Sequence, residues 1–189
     1  FGFDDNNIEE KLVEVDEQRL FMVAEGMRRC WSVDRIHQLT EINTFFLNKI
    51  RNIIDYETIL QQGLTREKLE RAKVLGFSDG EIGYLVGRSE EEIAQLRDRY
   101  QIKPVYKMVD TCAAEFEAET PYFYSAYEEW DESNPTEERK VLVLGSGPIR
   151  IGQGVEFDYC SVHSAWTLQE LGYQSIIVNN TPDTVSTHF

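Results

Sequence analysis

The sequence predicts a mixed fold: an irregular all-α helical domain followed by the start of an α/β, Rossmann-like one. Three observations predict it. Over residues 1–100, apolar side chains recur at helical spacing behind Ser, Thr and Asn caps. A Pro- and aromatic-rich stretch and then a polar Asn-Pro segment break that pattern. From residue 140 the chain reads strand, Gly-rich loop, helix, strand, which is one βαβ unit.

In chain order, Leu20, Val23, Ala24 and Met27 stand at i, i+3, i+4, i+7 and predict one buried stripe. Ser32 caps a short helix carrying Val33, Ile36 and Leu39. Asn43 caps a longer helix, with Phe46, Ile50, Ile53 and Ile54 on its inner face. Thr65 starts another, which Gly76 ends in a left-handed conformation. Ser78 with Glu81, and Ser89 with Glu92, form two capping boxes. Behind them lie Ile82, Leu85 and Val86, then Ile93, Leu96 and Tyr100. Residues 103–130 predict an extended segment with one short helical turn, packed on the bundle through Tyr122, Phe123, Tyr124 and Tyr127. The helical domain is expected over 1–130, a linker over 131–139, and the truncated βαβ start over 140–189. In that last part Val141–Leu144 and Ser175–Val178 read as strands buried on both faces. The helix between them, about 158–171, turns Val162, Ala165 and Trp166 inward and ends at Gly172.

Bulk properties narrow the function. The 189 residues are 41% hydrophobic and 12% aromatic, enough for a core. No apolar run approaches the roughly 20 residues of a membrane span. The net charge is −15, of which residues 1–139 carry −13. Such a surface repels nucleic acid and anionic lipid, or simply keeps the protein soluble. Cys30, Cys112 and Cys160 fit no metal spacing and are expected to be buried, reduced thiols, which points to a reducing compartment and a cytoplasmic location. The chain begins on Phe1, so it is expected to be an internal piece of a longer protein.

The loop GSGPIRIGQG, residues 145–154, is the candidate site. Backbone N–H groups of Gly145, Gly147 and Gly152 can converge on an anion at the helix N-terminus. The dinucleotide fingerprint fails because Arg150 stands where its third glycine belongs, and Asn179 and Asn180 replace the expected acid. The P-loop pattern fails because Gln153 and Gly154 replace its lysine and hydroxyl. What remains is a loop with one cation, Arg150, beside Glu156 and Asp158. Two readings stand on motif grounds: a bidentate hold on a small planar anion, and an ion pair from Arg150 to Glu156 or Asp158 that pins the loop.

The run KVLVLGSGPIRIGQGVEFDYCSVHSAWTLQELGYQSIIVNNTPDTVST closely resembles the start of the second half of the carbamoyl-phosphate synthase large subunit. PVYKMVDTCAAEFEAETPYFYSAYEEW resembles the segment that closes the oligomerisation domain of the same family. Thr181-Pro182-Asp183 and His188 depart from it, where family members often have Asn-Pro-Glu and Asp. The resemblance implies a pre-ATP-grasp domain after the helical one. It implies a parent ligase that makes carbamoyl phosphate from bicarbonate, glutamine-derived ammonia and two ATP, serving pyrimidine or arginine biosynthesis. ATP with Mg, and with Mn or K as further cations, belongs to the full enzyme; no cofactor, catalytic residue or metal ligand is expected within this chain. Implied partners are a glutaminase small subunit, the remaining large-subunit domains and a second copy through the helical domain. By the same resemblance Arg150, Gly154 and Glu156 line the carbamate passage, although a tight turn explains Gly154 as well.

Two rival readings compete with this one. FSDGEIGYLVGRSEEEIAQLRDRY, residues 77–100, has the outline of a DNA-binding helix-turn-helix. Its net charge of −3, with three glutamates opening the would-be recognition helix, decides against nucleic acid. The other rival is a stand-alone helical assembly module without catalytic role. Of the three histidines, His37 is expected to pack at the border of an apolar face, His163 shows no partner carboxylate, and His188 reads as an exposed terminal residue.

Overall fold

Seven helices follow one another between residues 5 and 100: α1 Asp5–Val13, α2 Arg19–Arg28, α3 Val33–Thr40, α4 Thr44–Gln61, α5 Arg66–Val74, α6 Asp79–Val86 and α7 Glu90–Tyr100. The computed structural model describes residues 5–110, 112–113, 115–116, 122–145, 158–179 and 186. After the helices come strands β1 Val105–Met108, β2 Phe123–Ala126 and β3 Lys140–Leu144, helix α8 Tyr159–Glu170 and strand β4 Gln174–Val178. The chain divides into two units, Phe1–Val105 with Ala126–Trp130, and Tyr106–Ser125 with Asp131–Phe189.

Local chemistry sets the helix starts. Ser32, Asn43 and Thr65 each accept a backbone N–H from the first turn they cap, from Arg35, Phe45 and Lys68. Both capping boxes form: Ser78 and Ser89 take the N–H of Glu81 and Glu92, whose carboxylates take the serine N–H in return, both at 2.8 Å. Gly76, at φ +94°, ends α5 in a Schellman pattern, with Phe77 N–H on the Ala72 carbonyl at 3.1 Å.

Orphan carbonyls at helix ends are taken by cationic side chains. Arg19 donates to Leu12 O at 2.9 Å and Thr40 O at 2.6 Å, closing α1 and α3 together. Arg51 does the same for Met27 and Trp31 after α2. Lys68 holds the Ile59 and Gly63 carbonyls at the end of α4.

Two apolar clusters fill this unit. Ile8, Leu12, Met22, Val23, Met27, Ile36, Leu47 and Ile54 make the first. Leu60, Leu69, Ala72, Phe77, Ile82, Ile93 and Ile102 make the second, with Tyr127 packed against it. Here the fold departs from the expected stripes. Helix α2 buries Met22, Val23, Gly26 and Met27 and leaves Leu20 outside. Helix α4 buries Leu47, Ile54 and Leu60, while Phe46 and Ile53 stay exposed. Each apolar stripe is wider than its contact, so the neighbours choose which edge goes in.

In the second unit β1 pairs with β2 and β3 pairs with β4. Phe123 and Tyr124 are exposed on β2. The polar stretch after Trp130 is tied down: Glu132 donates its N–H to Tyr106 O at 2.8 Å, and its carboxylate meets Lys107 at 2.7 Å and Met108 N–H at 2.8 Å. Lys107, only 7% exposed, and Met108 N–H together hold the Glu132 carboxyl below its ordinary range.

Strands β3 and β4 are parallel, with Leu142 opposite Ile176 and Leu144 opposite Val178. These four are exposed, which corrects the expectation of strands buried on both faces. Helix α8 buries Val162 and Ala165, and the alternate strand residues Val141, Val143 and Ile177 are half-buried. A single helix covers a single face of a sheet. Trp166 also turns outward, edge-on to His163, which meets Tyr159 edge-on in turn. Cys30 and Cys160 are exposed rather than buried. His37 is exposed as well; its Nδ1 lies 2.8 Å from the Ile42 carbonyl past the end of α3. No helix among the described residues is long and apolar enough to cross a membrane.

Candidate functional site

The carboxyl ends of parallel strands are where α/β folds place their ligands, since the strand-to-helix loops diverge there and leave a crevice. In this chain that edge carries Gly145 after β3, Asn179 after β4 and Asp158 at the start of α8. Gly145 donates its N–H to the Val178 carbonyl at 2.8 Å, extending the ladder by one step. A Cβ on residue 145 would lie 2.7 Å from that same oxygen. Glycine is therefore fixed by a close backbone approach. Gly145→Ala should push the strand ends apart, costing about 1–2 kcal/mol. Hydrogen exchange at Leu142–Leu144 then speeds up about tenfold; unchanged protection would contradict the close approach.

Asp158 is fully buried at the N-cap position of α8 but makes no side-chain cap. Its Oδ2 instead accepts the Ser186 backbone N–H at 2.6 Å. Asn179 Nδ2 donates to Ser186 Oγ at 3.0 Å. One carboxylate thus ties the chain beyond β4 back to the beginning of α8, at the helix end whose partial positive charge favours an anion. The sequence reading named Asp158 only as a candidate partner for Arg150. It missed the link to Ser186, because no local signal marks a bond across 28 residues.

Of the residues expected to form the site, Gly145 follows the last residue of β3. Gly147, Arg150, Gly152, Gly154 and Glu156 lie outside the described residues. Among the described residues no group of three or more His, Cys, Asp or Glu could hold a metal ion. The edge that is described can fix backbone and exclude a bulky side chain.

A family model described as carbamoyl-phosphate synthetase large chain, oligomerisation domain, matches residues 2–101, more than half of the chain. The chain belongs to the carbamoyl-phosphate synthetase large-chain family. A second model, carbamoyl phosphate synthase preATP-grasp domain, matches residues 137–189. The two matches fall in the order the fold shows: a helical array first, then strands flanking a helix. In this large-chain member the Gly145 edge opens the preATP-grasp domain, and α1 to α7 form the oligomerisation domain. Membership places the chain among the ligases of carbamoyl phosphate synthesis.

Proposed function

We propose that this chain is part of a glutamine-dependent carbamoyl-phosphate synthase that uses bicarbonate, glutamine-derived ammonia and two ATP with Mg, and that works with a glutaminase small subunit in the cytoplasm. Its helical unit serves self-association. Its Gly-rich loop lines the passage by which carbamate reaches the second phosphorylation site. The observation that carries this reading is the order of the two family matches, an oligomerisation domain over residues 2–101 followed along the chain by a preATP-grasp domain over 137–189. A Cβ at residue 145 would lie 2.7 Å from the Val178 carbonyl oxygen, which fits the glycine that opens the Gly-rich run.

The chemistry assigns the loop a task. Carbamate decomposes in water, so a route that excludes solvent protects it. Arg150 can grip its carboxylate-like group bidentately, Glu156 can accept from its NH2, and Gly154 leaves the bore unblocked. ATP turnover belongs to parts of the enzyme beyond these residues, so the purified chain alone releases no phosphate from ATP above background. In the complete enzyme, Arg150→Ala is expected to lower carbamoyl phosphate synthesis roughly 10- to 100-fold, the worth of one charge-assisted hydrogen bond. Bicarbonate-dependent ATP hydrolysis should persist. Equal loss of both activities, or of neither, would remove Arg150 from the passage.

A further inference from the structure

Leu20 on α2 and Phe46 and Ile53 on α4 are positions that helical periodicity places inside and the fold leaves exposed, while Ala24 and Ile50 beside them are partly buried against the core. Leu20 and Ala24 stand one turn apart on α2; Phe46, Ile50 and Ile53 stand at i, i+4, i+7 on α4. Leu20 and Phe46 are each 60% exposed and Ile53 38%. The two helices run side by side in the same sense. Arg19, at the start of α2, reaches the Thr40 carbonyl just ahead of α4, and Arg28, at its end, forks onto Glu57 at 2.8 and 2.6 Å. Between them is a hollow of about 300 Å³ walled by Ala24, Ile50, Ile53 and Ile54, with Leu75 and Phe77 closing its far side.

Charge decides what can cover this face. Residues 1–139 carry −13, so two copies repel over most approaches. Here two arginines are paired with glutamates and one lysine rests on a ring. Arg28 meets Glu57 at 2.6 Å, Arg29 meets Glu25 at 2.9 Å, and Lys49 lies over the Phe45 ring. Glu81, the remaining acid at the hollow, is held by the Ser78 N–H and hydroxyl. A two-fold contact sets a patch against itself, so only a patch with balanced charge can meet its own copy without repulsion. The domain that holds both helices is the one whose family description is oligomerisation.

We propose that the α2–α4 face is where a second copy of this chain docks, two-fold and face to face, covering Leu20, Phe46 and Ile53. The proposal rests on the reading that this unit self-associates and names the surface that does it. Apolar residues at the centre of such a patch carry most of the binding, and the ion pairs form its rim.

Sedimentation equilibrium on the whole chain tests it, with the wild type against Phe46→Glu and Leu20→Glu. Both side chains are exposed in the single chain, so the variants keep the far-UV helical signal, recorded alongside. The wild type is expected to associate, and each variant to raise the dissociation constant at least about 100-fold. Tyr84→Glu, at a residue 88% exposed on α6, should leave association unchanged. A wild type that associates while both variants associate as tightly overturns the face and leaves self-association standing. A wild type that stays monomeric at every concentration overturns self-association, and the face with it.

Discussion

Asp79→Asn is expected to destabilise the helical unit by about 3 kcal/mol, the cost of stranding buried cations without their counter-charge. Asp79 opens α6 and receives Lys73 Nζ at 2.9 Å on one oxygen and Arg97 Nε at 2.8 Å on the other. The side chains of Lys73 and Asp79 are only 9% and 11% exposed. Lys73 comes from the last turn of α5 and Arg97 from the last turn of α7. One carboxylate at the positive end of a helix thus joins cations at the negative ends of two others, so each charge is favoured by its own helix as well as by its partners. Urea midpoints followed by helical ellipticity give the measurement. A loss under about 1 kcal/mol would mean that the triad behaves as an ordinary surface pair. Replacing all three by apolar residues of similar size should cost less than the single change, because no charge is then left alone.

The same triad fixes an acid dependence. Burial pushes the Asp79 carboxyl up, but hydrogen bonds and charge from Lys73 and Arg97 outweigh it and hold it below the usual carboxylate range. A depressed folded value contributes stability that is fully present above the unfolded pKa, about 4, and is lost as pH falls through the folded one. Wild type and Asp79→Asn should therefore differ most above about pH 4 and converge in more acid solution. A gap that widened there would reverse the assignment.

Gly83→Ala is expected to destabilise α6 and α7 by about 2 kcal/mol, against the sign that helix propensity gives. In a helix interior alanine is better than glycine by roughly 0.5–1 kcal/mol. At Gly83, however, a Cβ would lie 2.6 Å from the Arg88 carbonyl oxygen and 3.3 Å from the Ser89 backbone. The neighbour is backbone, fixed where the chain turns back from α6 into α7, with Arg88 N–H bonded to the Gly83 carbonyl at 2.9 Å. Overpacking against such a wall costs about 1–3 kcal/mol or more. Gly80, on the same helix, makes the comparison: its Cβ would come no nearer than 3.5 Å to a neighbour, the flexible Glu90 side chain. If Gly83→Ala proves as mild as Gly80→Ala in thermal unfolding, the close approach is not real.

The candidate site was legible only in part. Gly145 and the strand before the Gly-rich loop could be placed from a run of apolar residues ending in glycine, and the family followed from long stretches matching in order. Asp158 could be noticed as an acid near the loop, but its bond to Ser186 could not. The Leu142, Leu144, Ile176 and Val178 face read as buried, because a strand's hydrophobicity reports what can cover it rather than what does.

By itself the sequence determined the caps at Ser32, Asn43, Thr65, Ser78 and Ser89, the turn at Gly76 and the kinship. Those features close their hydrogen bonds within about five residues, or rest on the order of residues alone, so no distant partner is needed to specify them. Tertiary structure decided which edges of the α2 and α4 stripes went inside, brought Asp79 between Lys73 and Arg97, and joined Asp158 to Ser186. Each of these depends on which surfaces meet, and an apolar stripe wider than its contact fits more than one answer until its neighbours are in place.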